Sequence, residues 1–271
     1  MLAGKCVVVT GGSSGIGLAT AEAFAARGAH VGVIARDRER LEAAREAVEM
    51  ARRSPDQRIL AVSADLCEME QAERAFRELA DAGMVPDVLV NCAGRILPGE
   101  FETMPLEFFE ENLGSLHAAV HACRAVVPVM SARRSGHIVN VSSVAGYLGV
   151  YGYTGYSAAK YAMMGFTEAL RFEMKPLGVR VSVVCPPDTE TPGLAFEKTL
   201  RPHETEVISG GIKPIPPRQV ADAIVRGVER NRYYIIPDAL SAFYFRLKGV
   251  LPELFFAIVD GDIAKARKQR G

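Results

Sequence analysis

The sequence predicts an α/β protein: one doubly wound parallel sheet with helices on both faces. Three observations predict it. Short β-branched runs alternate with longer amphipathic segments, the pattern of strand–helix–strand units. The runs are continuously apolar, as strands covered on both faces are. The unusual motifs fall just past the C-terminal ends of those runs, on the edge where such sheets bind ligands.

In chain order, a strand at 5–10 (KCVVVT) leads into a glycine-opened helix at 15–28, and a strand at 30–35 (HVGVIA) into a charged helix at 37–53. A strand at 58–65 (RILAVSAD), a helix at 68–83 and a strand at 87–94 (DVLVNCAG) follow. Then come one long segment from Pro105 to Arg134, a strand at 137–143 (HIVNVSS), a helix after Tyr156 and a strand at 179–187. Pro186 and Pro187 fix φ and remove two backbone donors, so the ladder ends there and the chain leaves as an extended arm. We read 1–271 as a single domain without repeats or a dividing linker. Within it, 188–217, rich in Pro, Gly and Thr, reads as a lid inserted over the substrate, and 239–271 as an apolar segment with a basic tail.

Nearly half of the 271 residues are apolar, enough for a substantial core. Lys plus Arg and Asp plus Glu balance at 32 each, leaving no electrostatic footprint for nucleic acid. The five cysteines, Cys6, Cys67, Cys92, Cys123 and Cys185, lack metal-type spacing. Three sit in strand-like runs, which points to a reducing, cytoplasmic setting with no disulfide framework and no metal. The chain opens on a strand and a glycine turn, not on a signal sequence. Arg246, Lys248, Pro252 and Glu253 interrupt the most apolar stretch, 239–259, and disfavour a spanning helix.

The turn TGGSSGIG (10–17) joins the first strand to the first helix. Gly11 permits the sharp turn, Gly15 a close approach of backbone to a pyrophosphate, and Gly17 packing of helix on strand, with the helix N-terminus facing the anion. This predicts a dinucleotide site. At the tip of the second strand an acidic residue would bind a ribose 2′-hydroxyl, whereas an arginine accommodates a 2′-phosphate; Arg36 therefore favours NADPH. Asp37 beside it is either the N-cap of the next helix or a ribose ligand that would weaken the preference. Asp65 and Leu66 follow the third strand and Asn91, Ala93 and Gly94 the fourth, on the edge where adenine and ribose lie; Asp65 reads equally well as a helix cap.

Tyr156 and Lys160 are four residues apart on one helical face. An adjacent cation stabilises a phenolate and lowers its pKa, which suits a proton donor to a carbonyl oxygen, and Ser143 can hydrogen-bond the same oxygen. With TGGSSGIG, Asp65, NCAG (91–94), Ser143 and YSAAK (156–160) in this order, residues 4–237 resemble the short-chain dehydrogenase/reductase family. The resemblance implies a Rossmann-like sheet and an oxidoreductase that uses a nicotinamide cofactor. In it Tyr156 passes the proton, Lys160 binds the nicotinamide ribose and lowers the tyrosine pKa, and Ser143 orients the carbonyl. Cofactor binding then falls to Thr10, Gly11, Ser13, Ser14, Gly15, Ile16, Gly17, Arg36, Asp65, Leu66, Asn91, Ala93, Gly94, Tyr156, Lys160, Pro186, Thr189 and Thr191. A dimer or tetramer through the helices after Pro105 and Tyr156 is implied as well. One departure stands out: at the position of the family's relay asparagine this chain has Ser115, with Asn112 one turn earlier. Either Ser115 holds the relay water or the register shifts and Asn112 does.

The family's usual Pro-Gly after the sixth strand is Pro186-Pro187 here. PPDTETPG (186–193) and LRPHETEVIS (200–209) resemble the 3-ketodihydrosphingosine (3-dehydrosphinganine) reductase branch. That branch implies NADPH-dependent reduction of a long-chain 2-amino-1-hydroxy-3-ketone to a sphinganine-type alcohol. Asp188 or Glu190 would then meet the substrate ammonium, and Thr191 the nicotinamide carboxamide; both acids read equally well as solvated loop charges. The alternatives are a reductase of another carbonyl, such as a 3-oxoacyl thioester, a steroid or a retinoid, and a nicotinamide-binding sensor without turnover. The stretch 233–259 and the basic residues 265–270 suit peripheral contact with a membrane surface, or else a dimer interface or a cover over the substrate channel.

Overall fold

In the computed structural model the apolar runs form one seven-stranded sheet, and residues 2–210 and 212–270 are described. Met1, Gly211 and Gly271, which fall within the spans 1–271, 188–217 and 239–271 read from sequence, lie outside the described residues, as does the side chain of Arg270. The strands are β1 (Cys6–Thr10), β2 (His30–Ala35), β3 (Ile59–Ser63), β4 (Val88–Asn91), β5 (Gly136–Val141), β6 (Val179–Val184) and β7 (Tyr234–Ile235). All pair in parallel, in the order β3-β2-β1-β4-β5-β6-β7. The order reverses between β1 and β4, so a crevice opens there at the C-terminal edge.

The helices are α1 (Gly15–Ala25), α2 (Arg38–Met50), α3 (Met69–Asp81), α4 (Leu106–Ala132), α5 (Thr154–Met174), α6 (Pro192–Lys198), α7 (His203–Ser209), α8 (Pro217–Glu229), α9 (Ala239–Val250) and α10 (Pro252–Arg270). Alternation along β1 shows how they divide. Val7 and Val9 point into a core shared with Phe24 of α1 and Val220 and Ile224 of α8. Cys6 and Val8 point into the opposite core, with Phe76 and Leu79 of α3 and Ala118 and Ala122 of α4. Each fully buried aliphatic side chain contributes about 1.5–3 kcal/mol, so both layers are needed to hold the sheet.

The β7 strand was not read from sequence, where YYII (233–236) belonged to the apolar C-terminal stretch. It is two residues long, pairs Tyr234 with Val183 and Ile235 with Val184, and buries Ile235. Gly227 of α8 makes room for it, since a Cβ there would lie 2.3 Å from Ile235 Cδ1. Among the described helices α4 alone has the length and hydropathy of a membrane span. Its Ala118, Ala122, Cys123, Val126 and Met130 are instead buried in the core beneath the sheet.

Helices α9 and α10 cover the end of β6 and the loop after β5. Tyr147 donates its hydroxyl to Ser241 O at 2.9 Å, Lys248 Nζ donates to Tyr147 O at 2.6 Å, and Phe255 is buried with Leu148 and Cys185.

Candidate active site

The crevice at the switch point continues into a cavity of about 1780 Å³ that passes beneath α6 and reaches α9 and α10. Its floor is the glycine turn. Gly11 has φ +64°, and a Cβ there would stand 2.6 Å from Ala93 Cα; a Cβ on Gly17 would stand 2.2 Å from Gly11 O. The turn can therefore close against β4 and start α1 only with glycine at these positions. Ser14, the N-cap of α1, makes no side-chain capping bond, so the first amides of this helix are left for a ligand in the crevice. A cradle of this size with free amides fits a dinucleotide pyrophosphate.

Gly11, Ser13, Ser14, Gly15, Ile16, Gly17, Arg36, Asp65, Leu66, Ala93, Gly94, Pro186, Thr189 and Thr191 all line the cavity. Thr10 and Asn91 do not reach it and stand behind its wall. The Thr10 hydroxyl accepts the amides of Cys92 and Ala93 at 3.2 and 3.3 Å, which ties β1 to the chain after β4. Asn91 donates to Asn140 Oδ1 at 2.8 Å, and Asn140 donates to the Thr167 hydroxyl at 3.0 Å, a buried chain from β4 to α5. Both residues support the cavity instead of contacting what fills it.

At the tip of β2, Arg36 is exposed and 3.6 Å from Asp65. Asp37 is the N-cap of α2, accepting the Arg40 amide at 3.0 Å, with its second oxygen 3.5 Å from the Arg40 guanidinium. Arg40, which sequence reasoning missed, lines the cavity beside Arg36. Asp65 accepts the Cys67 amide at 2.9 Å, so it caps a turn ahead of α3, whose own N-cap is Glu68.

Ser143, Tyr156 and Lys160 meet where β5 and α5 converge. Ser143 caps the single 3-10 turn 144–146 by accepting the Ala145 amide at 3.1 Å, and Val144 donates to Pro186 O at 3.0 Å. Ser142 donates to Lys160 O at 2.9 Å, and a Cβ on Gly146 would stand 2.8 Å from that same carbonyl oxygen. The serine turn is thus pressed onto the tyrosine helix. Lys160 Nζ donates to Val141 O at 3.1 Å and lies 5.5 Å from the Tyr156 ring centre.

The expected lowering of the tyrosine by the lysine is not found. Burial pushes the Tyr156 phenol up, a hydrogen bond from Ser143 opposes this, and the negative charges of Glu197 and Asp188 reinforce it. Burial also lowers Lys160 to about 8. Burial is the largest cause of both shifts, because it disfavours the charged form of each group.

Ser115 and Asn112 separate cleanly. Asn112 spends its amide on Leu97, accepting its N–H at 3.1 Å and donating to its carbonyl at 2.9 Å, and on Phe108 O at 2.8 Å; it does not line the cavity. Ser115 does, packed so close that a Cβ on Gly94 would stand 3.0 Å from its own Cβ and 3.9 Å from Lys160 Nζ.

The arm after β6 runs extended to the isolated bridge between Thr189 and Ile215. Thr191 caps α6 by accepting the Leu194 amide at 3.0 Å, and its methyl sits over Gly15. Glu190 is exposed and outside the cavity, so it cannot meet a ligand there. Asp188 lines the cavity but is paired at 2.7 Å with Arg201. Glu197, Arg201 and Tyr153 were missed by sequence reasoning. The four-residue spacing of Glu197 and Arg201 was the available signal. Beyond them the walls turn apolar, with Leu148, Leu194, Leu240, Tyr244, Phe255, Ile258 and Val259.

A nucleotide cradle at the switch point beside a half-buried serine and a buried tyrosine and lysine defines a nucleotide-dependent oxidoreductase. The short chain dehydrogenase family model matches residues 5–200, and the chain belongs to that family. It is 40% identical to the 3-ketodihydrosphingosine reductase of Bos taurus, over 86% of this chain and 70% of that protein. It is 35% identical to the 3-ketodihydrosphingosine reductase of Dictyostelium discoideum, over 96% of this chain and 82% of that one. A solved short-chain dehydrogenase from Sphingobium yanoikuyae, in complex with NADPH, superposes with a TM-score of 0.77 at 26% identity, covering 93% of this chain and 94% of that structure.

Proposed function

We propose that this protein reduces 3-ketodihydrosphingosine to dihydrosphingosine with NADPH. The observation that carries the reading is the placing of Ser143, Tyr156 and Lys160 at the head of a cavity that is polar at the cofactor end and apolar at the other. The similarity to reductases of that substrate supports it.

The reduced nicotinamide supplies the hydride. Gly11, Gly15, Gly17 and the first turn of α1 hold the pyrophosphate, and Lys160 holds the ribose. Arg36 and Arg40 meet the 2′-phosphate, while Asp37, occupied as a helix cap, does not compete for the ribose. Ser143 hydrogen-bonds the substrate oxygen and Tyr156 protonates it. Tyr156, kept protonated by burial, has the proton to give in this direction, and a charged Lys160 would stabilise the phenolate that remains. Ser115, packed beside Lys160 and Gly94, holds the relay water. The apolar walls take the alkyl chain, and segment 188–217 covers the reacting end.

Purified protein given 3-ketodihydrosphingosine should consume NADPH well ahead of NADH, and Arg36→Glu should reverse or erase that preference. Preferential turnover of a 3-oxoacyl thioester or a steroid would replace this substrate with another. No turnover of any of them, with NADPH still bound, would favour the sensor reading.

Leu240 and Ile258 both line the cavity and are exposed, and on the same two helices and their junction Phe243, Val250, Leu251 and Leu254 are exposed as well. That shared exposure supports a cytoplasmic protein resting by α9 and α10 on a membrane, its cavity mouth toward the lipid. The exposed Val129 of α4 and Tyr161 and Phe172 of α5 suit a homodimer or tetramer through those helices.

A further inference from the structure

Tyr153, Glu197 and the Arg201 side chain, all buried, form with the half-buried Asp188 a charged group that the proton transfer does not use. The Arg201 side chain, 5% exposed, donates from Nη2 to Asp188 Oδ2 and from Nε to Glu197 Oε1, each at 2.7 Å. Tyr153 donates its hydroxyl to the same Glu197 oxygen. Glu197 is 1% exposed, and the contacts from Arg201 and Tyr153 fall on Oε1, which leaves Oε2 outside them.

The charges do not balance. Two carboxylates meet one guanidinium, which leaves a net negative charge when Glu197 is ionised. Burial opposes that ionisation and pushes the Glu197 carboxyl up, so a cation placed beside it would favour the charged form. Nearby cations do not supply it: Lys160 donates to Val141 O, Arg95 pairs with Glu111 at 3.1 Å, and Lys213 is exposed at the rim. Asp188 and Glu197 line the same cavity as Ser143 and Tyr156, and the Tyr153 ring lies 6.0 Å from the Tyr156 ring.

The geometry points to Glu197, oriented by Arg201 and supported by Asp188, as the subsite for the substrate's ammonium, which sits one carbon from the carbonyl that Tyr156 protonates. The inference rests on the substrate reading above. It moves ammonium recognition from the arm itself to the helix that follows it, and it gives Arg201 the task of holding two carboxylates on one side of the reacting carbon.

The test compares kcat/KM for 3-ketodihydrosphingosine with kcat/KM for the same ketone lacking its 2-amino group. The second molecule is smaller, so a preference for the first cannot come from size. A charge-assisted hydrogen bond predicts a preference of about 10- to 100-fold in the wild type. Glu197→Gln keeps the shape and an acceptor for Tyr153, and it should bring the ratio close to unity. Asp188→Asn removes the excess charge from the other side and should lower the ratio as well, which covers the case of a Gln variant that does not fold. Equal turnover of both ketones by the wild type, or an unchanged ratio in a folded variant, overturns the subsite alone. Turnover of neither ketone overturns the substrate reading, and the subsite with it.

Discussion

Tyr156 and Lys160 are moved by burial in opposite directions, the phenol up and the ammonium down. The phenol stays protonated where an acid is needed, and the ammonium, brought down to about 8, titrates within reach of working pH. Charged Lys160 is the form that holds a ribose and an adjacent phenolate, so kcat/KM should be level below about pH 8 and fall as pH rises through it. Steady-state rates across a pH series check this; a profile flat to pH 10, the region of an unperturbed lysine, would contradict it. At this scale the sequence was informative wherever spacing alone decides contact. A Tyr and Lys four apart must share a helical face, and Ser115 against Asn112 turned on one helical turn. Spacing could not show that Asp188 meets Arg201 and Glu197, because that contact depends on how α6 docks after a change of direction at Pro192. Nor could it show that Asn91 turns toward Asn140 across the sheet.

Strands β1 to β6 were legible because each is a short, mostly apolar run set between longer helical segments. The two-residue β7 was not, since so short an edge strand has no period of its own and is defined by its neighbour β6 and by the gap at Gly227. One consequence of burial lies on β5. His137 is nearly inaccessible, its Nε2 2.6 Å from the Ser182 hydroxyl, and burial, aided by Arg180, holds its imidazole down at about 4 from an ordinary 6.5. The unfolded chain takes up a proton below about 6.5 and the folded chain not until about 4. Stability from the neutral ring is therefore intact above 6.5 and is lost as pH falls through that window, by about 3 kcal/mol at most. Urea midpoints measured from pH 7 to pH 4 should fall, and His137→Gln should flatten that slope; an equal slope in the variant would locate the acid sensitivity elsewhere.

Across the whole molecule, the sheet edge, the arm after β6 and the C-terminal helices combine into one passage. Dinucleotide-type features lie at the switch point, reacting groups in the middle, and apolar walls lead out past α9 and α10 to exposed hydrophobic side chains. Composition foresaw an apolar C-terminal stretch too broken to span a bilayer. A cover over the substrate channel was one of three roles left open for that stretch, and the docking of α9 on Tyr147 is what brings it to the cavity wall. If a lipid substrate enters from a bilayer, replacing Val250, Leu251 and Leu254 together with glutamate should weaken co-sedimentation with anionic vesicles while the protein stays folded. Undiminished co-sedimentation would remove α9 and α10 from that role. The most direct measurement of the central claim follows the hydride itself. With NADPH deuterated at the transferring position and 3-ketodihydrosphingosine as acceptor, mass spectrometry of the product should find one deuterium at C3 of dihydrosphingosine. Dihydrosphingosine without deuterium, or unreacted ketone beside a protein that still binds NADPH, would contradict the account.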